Sequence, residues 1–119
     1  MDLQHISVCL YIVLMSAATL FRALSDPTRL AVLENVTRRE MTVTDLTTRF
    51  AVTQPAISQH LAVLRESGLV LQRREGRQIF YRADPNGLRP MFRWIDEYRT
   101  FWHEHLPRLR TLLREVKDE

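Results

Sequence analysis

Leu20, Phe21 and Leu24 recur at helical spacing in a segment that begins near Ala17 and stops at Ser25-Asp26-Pro27. The stop is also a start, because Asp26 suits an N-cap and Pro27 the first helical position, where a missing N–H costs nothing. Leu30, Leu33 and Val36 carry a second helix to about Arg38 to Glu40. Thr42-Val43-Thr44-Asp45 reads as a capping box with Asp in the usual Glu or Gln place, opening a two-turn helix through Leu46 to Phe50. Thr53 caps a fourth helix from Gln54 to about Ser67. It has Pro55 in its first turn, a stripe of Ile57, Leu61 and Leu64, and Gly68 as its left-handed stop.

Beyond Gly68 the period changes. Leu69 to Arg74 and Gln78 to Ala83 are short runs rich in Val, Ile, Phe and Tyr, and Glu75-Gly76-Arg77 between them predicts a β-hairpin. Asp84-Pro85-Asn86-Gly87 closes the unit as a turn. From Leu88 the pattern predicts one helix to residue 118. Met91, Ile95, Tyr98, Trp102, His105, Leu109, Leu112 and Val116 alternate spacings of four and three, a 3.5-residue seam. Pro107 lies inside this helix and is expected to kink it. A seam so long exceeds what a small domain covers, so a partner chain is the expected cover.

The predicted architecture is mainly α with a small β-hairpin. Residues 16–119 form one domain ending in a dimerisation helix over 88–118, and residues 1–15 are an apolar, helical extension. With 3 Gly and 5 Pro in 119 residues, little irregular chain is expected. The uncharged run ISVCLYIVLMSAATLF, residues 6–21, superficially resembles a signal peptide. No Lys or Arg precedes it, and it falls short of the roughly 20 residues that span a bilayer. Met15 is an alternative start that the residues leave open. The single cysteine, Cys9, forms no intramolecular disulfide and demands no oxidising compartment, so a cytoplasmic protein with no membrane attachment is expected.

Charge sharpens the picture through its distribution. The net charge is +3, and residues 27–83 hold nine Arg against five acids, an excess of four, whereas residues 84–119 balance seven against seven. The excess surrounds a short helix, a brief turn, a second helix and a hairpin, which is the winged helix-turn-helix order. In that order, Thr53, Gln54, Ala56, Ser58, Gln59 and His60 face DNA from the second helix. Gln pairs bidentately with adenine, Ser reaches bases or phosphate, and an Ala methyl touches thymine. Thr42 and Thr44 lie at the N-terminus of the first helix, where free amides meet a phosphate. Arg73, Arg74 and Arg77 form the cationic wing. An amphipathic surface helix and solvated edge arginines are the plainer readings of the same residues.

FRALSDPTRLAVLENV, MTVTDLTTRF, TQPAISQHLAVLRESGLV and REGRQIFYRAD, in this order, resemble the ArsR family of bacterial transcriptional repressors over about residues 20 to 84. The resemblance implies a homodimeric winged-helix repressor, paired through its first and last helices, that binds a palindromic operator in double-stranded DNA. Leu20, Met91, Ile95, Tyr98, Trp102, Leu109 and Leu112 are the dimer residues expected on this basis.

The chain departs from the family's metal sensors. Thr42-Val43-Thr44-Asp45-Leu46 stands where arsenic-type sensors have Cys-Val-Cys-Asp-Leu, and Tyr98 and Leu109 stand where zinc-type sensors have histidines. His103 and His105 project about 200° apart on a helix and form no chelating pair within one chain. No metal, cofactor or catalytic residue is expected, since no phosphate loop, nucleophile motif or paired-carboxylate constellation is present. Phe92, Trp94, Tyr98, Phe101 and Trp102 suit dimer core better than an effector pocket. Two functions stay open for the fold: an operator-occluding repressor, or a winged-helix module that binds protein and no operator.

Overall fold

The computed structural model describes residues 8–118. Helix α1 spans Val8–Ala23, α2 Pro27–Arg38, strand β1 Met41–Thr42, α3 Val43–Arg49 and α4 Gln54–Glu66. Strands β2, Val70–Glu75, and β3, Gln78–Ala83, are followed by α5, Arg89–Glu97, and α6, Arg99–Asp118. The expected extension at residues 1–15 is partly outside the described residues. From Val8 onward it is continuous with α1.

Local chemistry explains the junctions. The Asp26 carboxylate accepts from the Arg29 amide at 3.0 Å, and Pro27 occupies the first turn of α2. Arg29 then reaches back, its Nη1 donating to the Ala23 carbonyl at 3.1 Å, so a cation closes the C-terminus of α1. Gly68 ends α4 with φ +82°, a conformation that costs other residues a steric clash. Gly87 is needed for a different reason: a Cβ there would stand 2.8 Å from the Gly68 carbonyl oxygen.

The core is one cluster of Leu20, Val32, Val36, Met41, Leu46, Ile57, Leu61, Leu64, Leu69 and their neighbours, built from α1 through β2. Each of these nine is 2% exposed or less. Leu20, expected at a dimer interface, is therefore already committed to its own chain at 1% exposure. Its position on the inward face of α1, rather than its apolarity, decides this. The sheet has the order β1-β3-β2 and is antiparallel throughout. The two-residue β1, which the sequence reading missed, pairs Met41 with Tyr81 and Thr42 with Phe80.

The single terminal helix is corrected to two. Tyr98 leaves helical geometry at φ −111° and ψ 15°, and its amide bonds to the Ile95 carbonyl at 3.1 Å. Helix α6 then runs through Pro107, so the interruption falls nine residues before the proline that was expected to cause it. Packing supplies the reason. Trp94 of α5 meets Phe21 of α1 edge to face at 5.6 Å and Tyr98 at 5.3 Å, which holds α5 to the body while α6 departs. Residues 99–116 are all exposed.

Candidate nucleic-acid interface

Two caps set the geometry of the helix pair α3 and α4. Thr42 Oγ1 accepts from the Asp45 amide at 3.1 Å, and Asp45 Oδ2 accepts from the Thr42 amide at 3.1 Å, a reciprocal capping box. These bonds hold the Asp45 carboxyl below its usual range, the backbone bond from Thr42 being the largest cause. Thr53 Oγ1 accepts from the Ala56 amide at 3.3 Å and starts α4, with Pro55 in the first turn. Leu46 from α3 and Ile57, Leu61 and Leu64 from α4 are each at most 1% exposed, so the pair is anchored by narrow apolar stripes.

With that stripe buried, α4 turns Ser58 and Gln59 to solvent, and Thr53 and Gln54 are exposed at its start. Ala56 and His60 are half-buried on its flanks, and His60 lies close enough to Asp26 to help lower that carboxyl's pKa. The bond from the Arg29 amide is the main cause of that lowering. Thr44 is exposed and Thr42 half-buried. Both line an open groove shared with Val43, Asp45, Arg77, Gln78 and Ile79, which places the α3 N-terminus and the hairpin tip on one surface. Ala62 and Arg65, also exposed on α4, were not singled out from the sequence; counting forward from Ser58 and Gln59 on the helical period would have found them.

The arginines divide. Glu75 pairs with Gln78, so the turn is Gly76-Arg77, with φ +61° at Gly76 alone, the pattern of a type II′ hairpin. Arg77 is at the tip and Arg74 lies in the second pair below it, opposite Ile79, both exposed. Arg73, expected with them at the cationic tip, is instead engaged within the chain. Its Nε donates to Glu40 Oε1 at 2.8 Å and Oε2 at 2.9 Å, and its Nη1 to Glu75 Oε2 at 2.7 Å. This pairing holds the Glu40 carboxyl below its usual range. Glu40 and Arg73 are 33 residues apart, and no local signal in the sequence links them.

The expected dimer residues divide too. Met91 is half-buried against the chain's own core, and Tyr98 is half-buried at the helix break. Ile95 is exposed at 40%, Trp102 at 43%, Leu109 at 47% and Leu112 at 50%. Leu106, Leu113 and Val116 are exposed on α6 as well. His105 is turned onto its own helix, its Nδ1–H donating to the Phe101 carbonyl at 2.7 Å and its ring stacked on Phe101 at 4.3 Å. Among the described residues, no three His, Cys, Asp or Glu side chains gather as a metal site. Among the same residues, no helix is long and apolar enough to cross a membrane.

The signature of the family described as "Bacterial regulatory protein, arsR family" matches residues 26–71, from the Asp26 cap to the first residues of β2. The chain is 32% identical over 75 residues to the transcriptional repressor SdpR of Bacillus subtilis, covering 63% of this chain and 83% of that protein. A solved structure, an ArsR-like transcriptional regulator from Rhodococcus sp. RHA1, superposes with a TM-score of 0.67. Its sequence is 33% identical, and the match covers 82% of this chain and 92% of that one. The chain belongs to the ArsR family.

Its fold is accordingly the winged helix-turn-helix of ArsR-like proteins, with β2 and β3 as the wing. The arsenical resistance operon repressor of Escherichia coli is 46% identical over 68 residues, 56% of this chain and 58% of that repressor. The chain spans between 55% and 61% of the length of the first three curated relatives it matches. These relatives of the ArsR chain are named as transcriptional repressors or regulators, not as enzymes.

Proposed function

We propose that this ArsR-family chain is a homodimeric repressor that occludes a palindromic operator, acting in the cytoplasm without a membrane or a resident cofactor. The observation that carries this reading is the two-sidedness of α4. Its apolar stripe is consumed by the core, and Thr53 at its cap, Gln54, Ser58 and Gln59 are exposed. Thr44 and Arg77 share a groove beside the α3 N-terminus, so a helix inserted in the roughly 12 Å major groove leaves wing and helix terminus for phosphates.

The exposed seam of α6 supports the second half of the proposal. An isolated 20-residue helix with Trp102, Leu109, Leu112 and Val116 in water lacks the tertiary packing that stabilises helices in proteins. A second copy of α6, with α5 and the outer face of α1, is the cover proposed for it. Two α4 helices related by a two-fold axis would then meet half-sites about one DNA turn, roughly 34 Å, apart.

The test is selection of duplexes from a random-sequence pool, followed by titration of an enriched and a scrambled duplex. Enrichment of a palindrome with a preference of about a thousandfold is the expected result. Equal, weak binding of both duplexes would reject operator recognition. In the Gln54→Ala/Ser58→Ala/Gln59→Ala variant, loss of a protein partner with unchanged DNA binding would favour a protein-binding module instead.

A further inference from the structure

Arg73 sits in β2 opposite Phe80 of β3, and its guanidinium carbon lies 4.5 Å from the centre of the Phe80 ring. Phe80 is in turn paired with Thr42 of β1, and Glu40 stands immediately before β1. The guanidinium grips both Glu40 oxygens and the Glu75 carboxylate, so one planar cation reaches from β2 over β3 to the entrance of β1. Thr42 ends β1 and is also the N-cap of α3. The wing and the start of the helix-turn-helix are therefore joined by this side chain in addition to the pairing of β1 with β3.

We propose that Arg73 is a positioning residue for DNA binding. Paired with Glu40, it fixes the wing against the α3 N-terminus and leaves phosphate contact to Arg74 and Arg77. This rests on the DNA-binding reading above. Two carboxylates already face its N–H groups, so Arg73 offers little net charge to a phosphate. Its fork geometry and its stacking on Phe80 are features that a lysine does not reproduce. Adjacent strand residues point to opposite faces, which separates Arg74 from this contact.

The experiment measures the affinity of an enriched duplex against salt concentration for the full chain and for Arg73→Gln, Arg73→Lys, Glu40→Gln, the Arg73→Gln/Glu40→Gln double variant and Arg77→Gln. Positioning makes Arg73→Gln, Arg73→Lys and Glu40→Gln each bind about fivefold more weakly, with the double variant no worse than either single Gln variant. Their salt slopes stay at the wild-type value. Arg77→Gln lowers the slope by about one.

A phosphate contact by Arg73 makes the opposite pattern. Removing the Glu40 charge would then release Arg73 and tighten binding, Arg73→Lys would approach wild type, and Arg73→Gln would lower the slope by about one; that pattern overturns the proposal. Circular dichroism and urea unfolding of each variant separate a misfolded wing from a displaced one. If Arg73→Gln fails to fold, Glu40→Gln decides alone, weaker binding supporting positioning and tighter binding refuting it. A wild-type chain that prefers no duplex sinks the DNA-binding reading, and this inference with it.

Discussion

Helices α4 and α6 carry similar apolar stripes to different ends. In α4, Ile57, Leu61 and Leu64 are at most 1% exposed, whereas in α6 Trp102 is 43%, Leu109 47%, Leu112 50% and Val116 69% exposed. A stripe is thus a demand for a cover, and its spacing does not say where the cover comes from. The body of the chain meets the demand of α4, which frees its polar side for recognition. Nothing among the described residues meets the demand of α6, and this difference is the main support for a second copy.

The comparison is broken most strongly by truncating the buried stripe. Leu61→Ala is expected to lower unfolding free energy by about 2 to 5 kcal/mol, measured by urea denaturation, because a cavity is left in a closed core. Leu112→Ala should cost well under half of that at protein concentrations where the chain is monomeric. A comparable loss in the two variants would erase the distinction.

Leu109→Glu with Leu112→Glu sharpens the other side. Burying about 2 kcal/mol of side chain per leucine against a partner implies at least a tenfold weakening of self-association, read by sedimentation equilibrium. Unchanged self-association would place the dimer contact elsewhere. A smaller effect belongs to the caps: Thr53→Ala is expected to cost about 1 kcal/mol through the lost bond to the Ala56 amide.

The smallest effect is in the acid limb of stability. Asp26, Glu40 and Asp45 are all held below their ordinary pKa values, by the Arg29 amide, the Arg73 guanidinium and the Thr42 amide respectively. A carboxyl depressed on folding contributes stability above its unfolded pKa and loses it as pH falls through the folded value. Stability should therefore decline from about pH 5 downward. Glu40→Gln should show a shallower decline than wild type in urea melts across that range; an identical decline would mean the Arg73 pair contributes nothing.

What could be read in the chain was what is local. Asp26 and Thr53 each meet an amide three residues on, Thr42 and Asp45 satisfy one another, and Gly68 follows its helix directly. These spacings are visible without a fold, as is the inward stripe of α4 and therefore its outward polar residues. The misses are all tertiary. Strand β1 is two residues long and exists because β3 is beside it. The break at Tyr98 follows from Trp94 docking on Phe21, with no glycine or proline to announce it. Arg73 looked like its neighbours in an arginine cluster, since a charge count does not reveal that Glu40 returns to meet it.

The central claim is that α4 recognises DNA while α6 recruits a second copy. The mass of the complex with an enriched palindromic duplex, measured by sedimentation equilibrium, tests both parts together. The account predicts two chains per duplex, with Leu109→Glu/Leu112→Glu losing the complex although each chain remains folded. One chain per duplex at full affinity, or a complex unaffected by those substitutions, would contradict it.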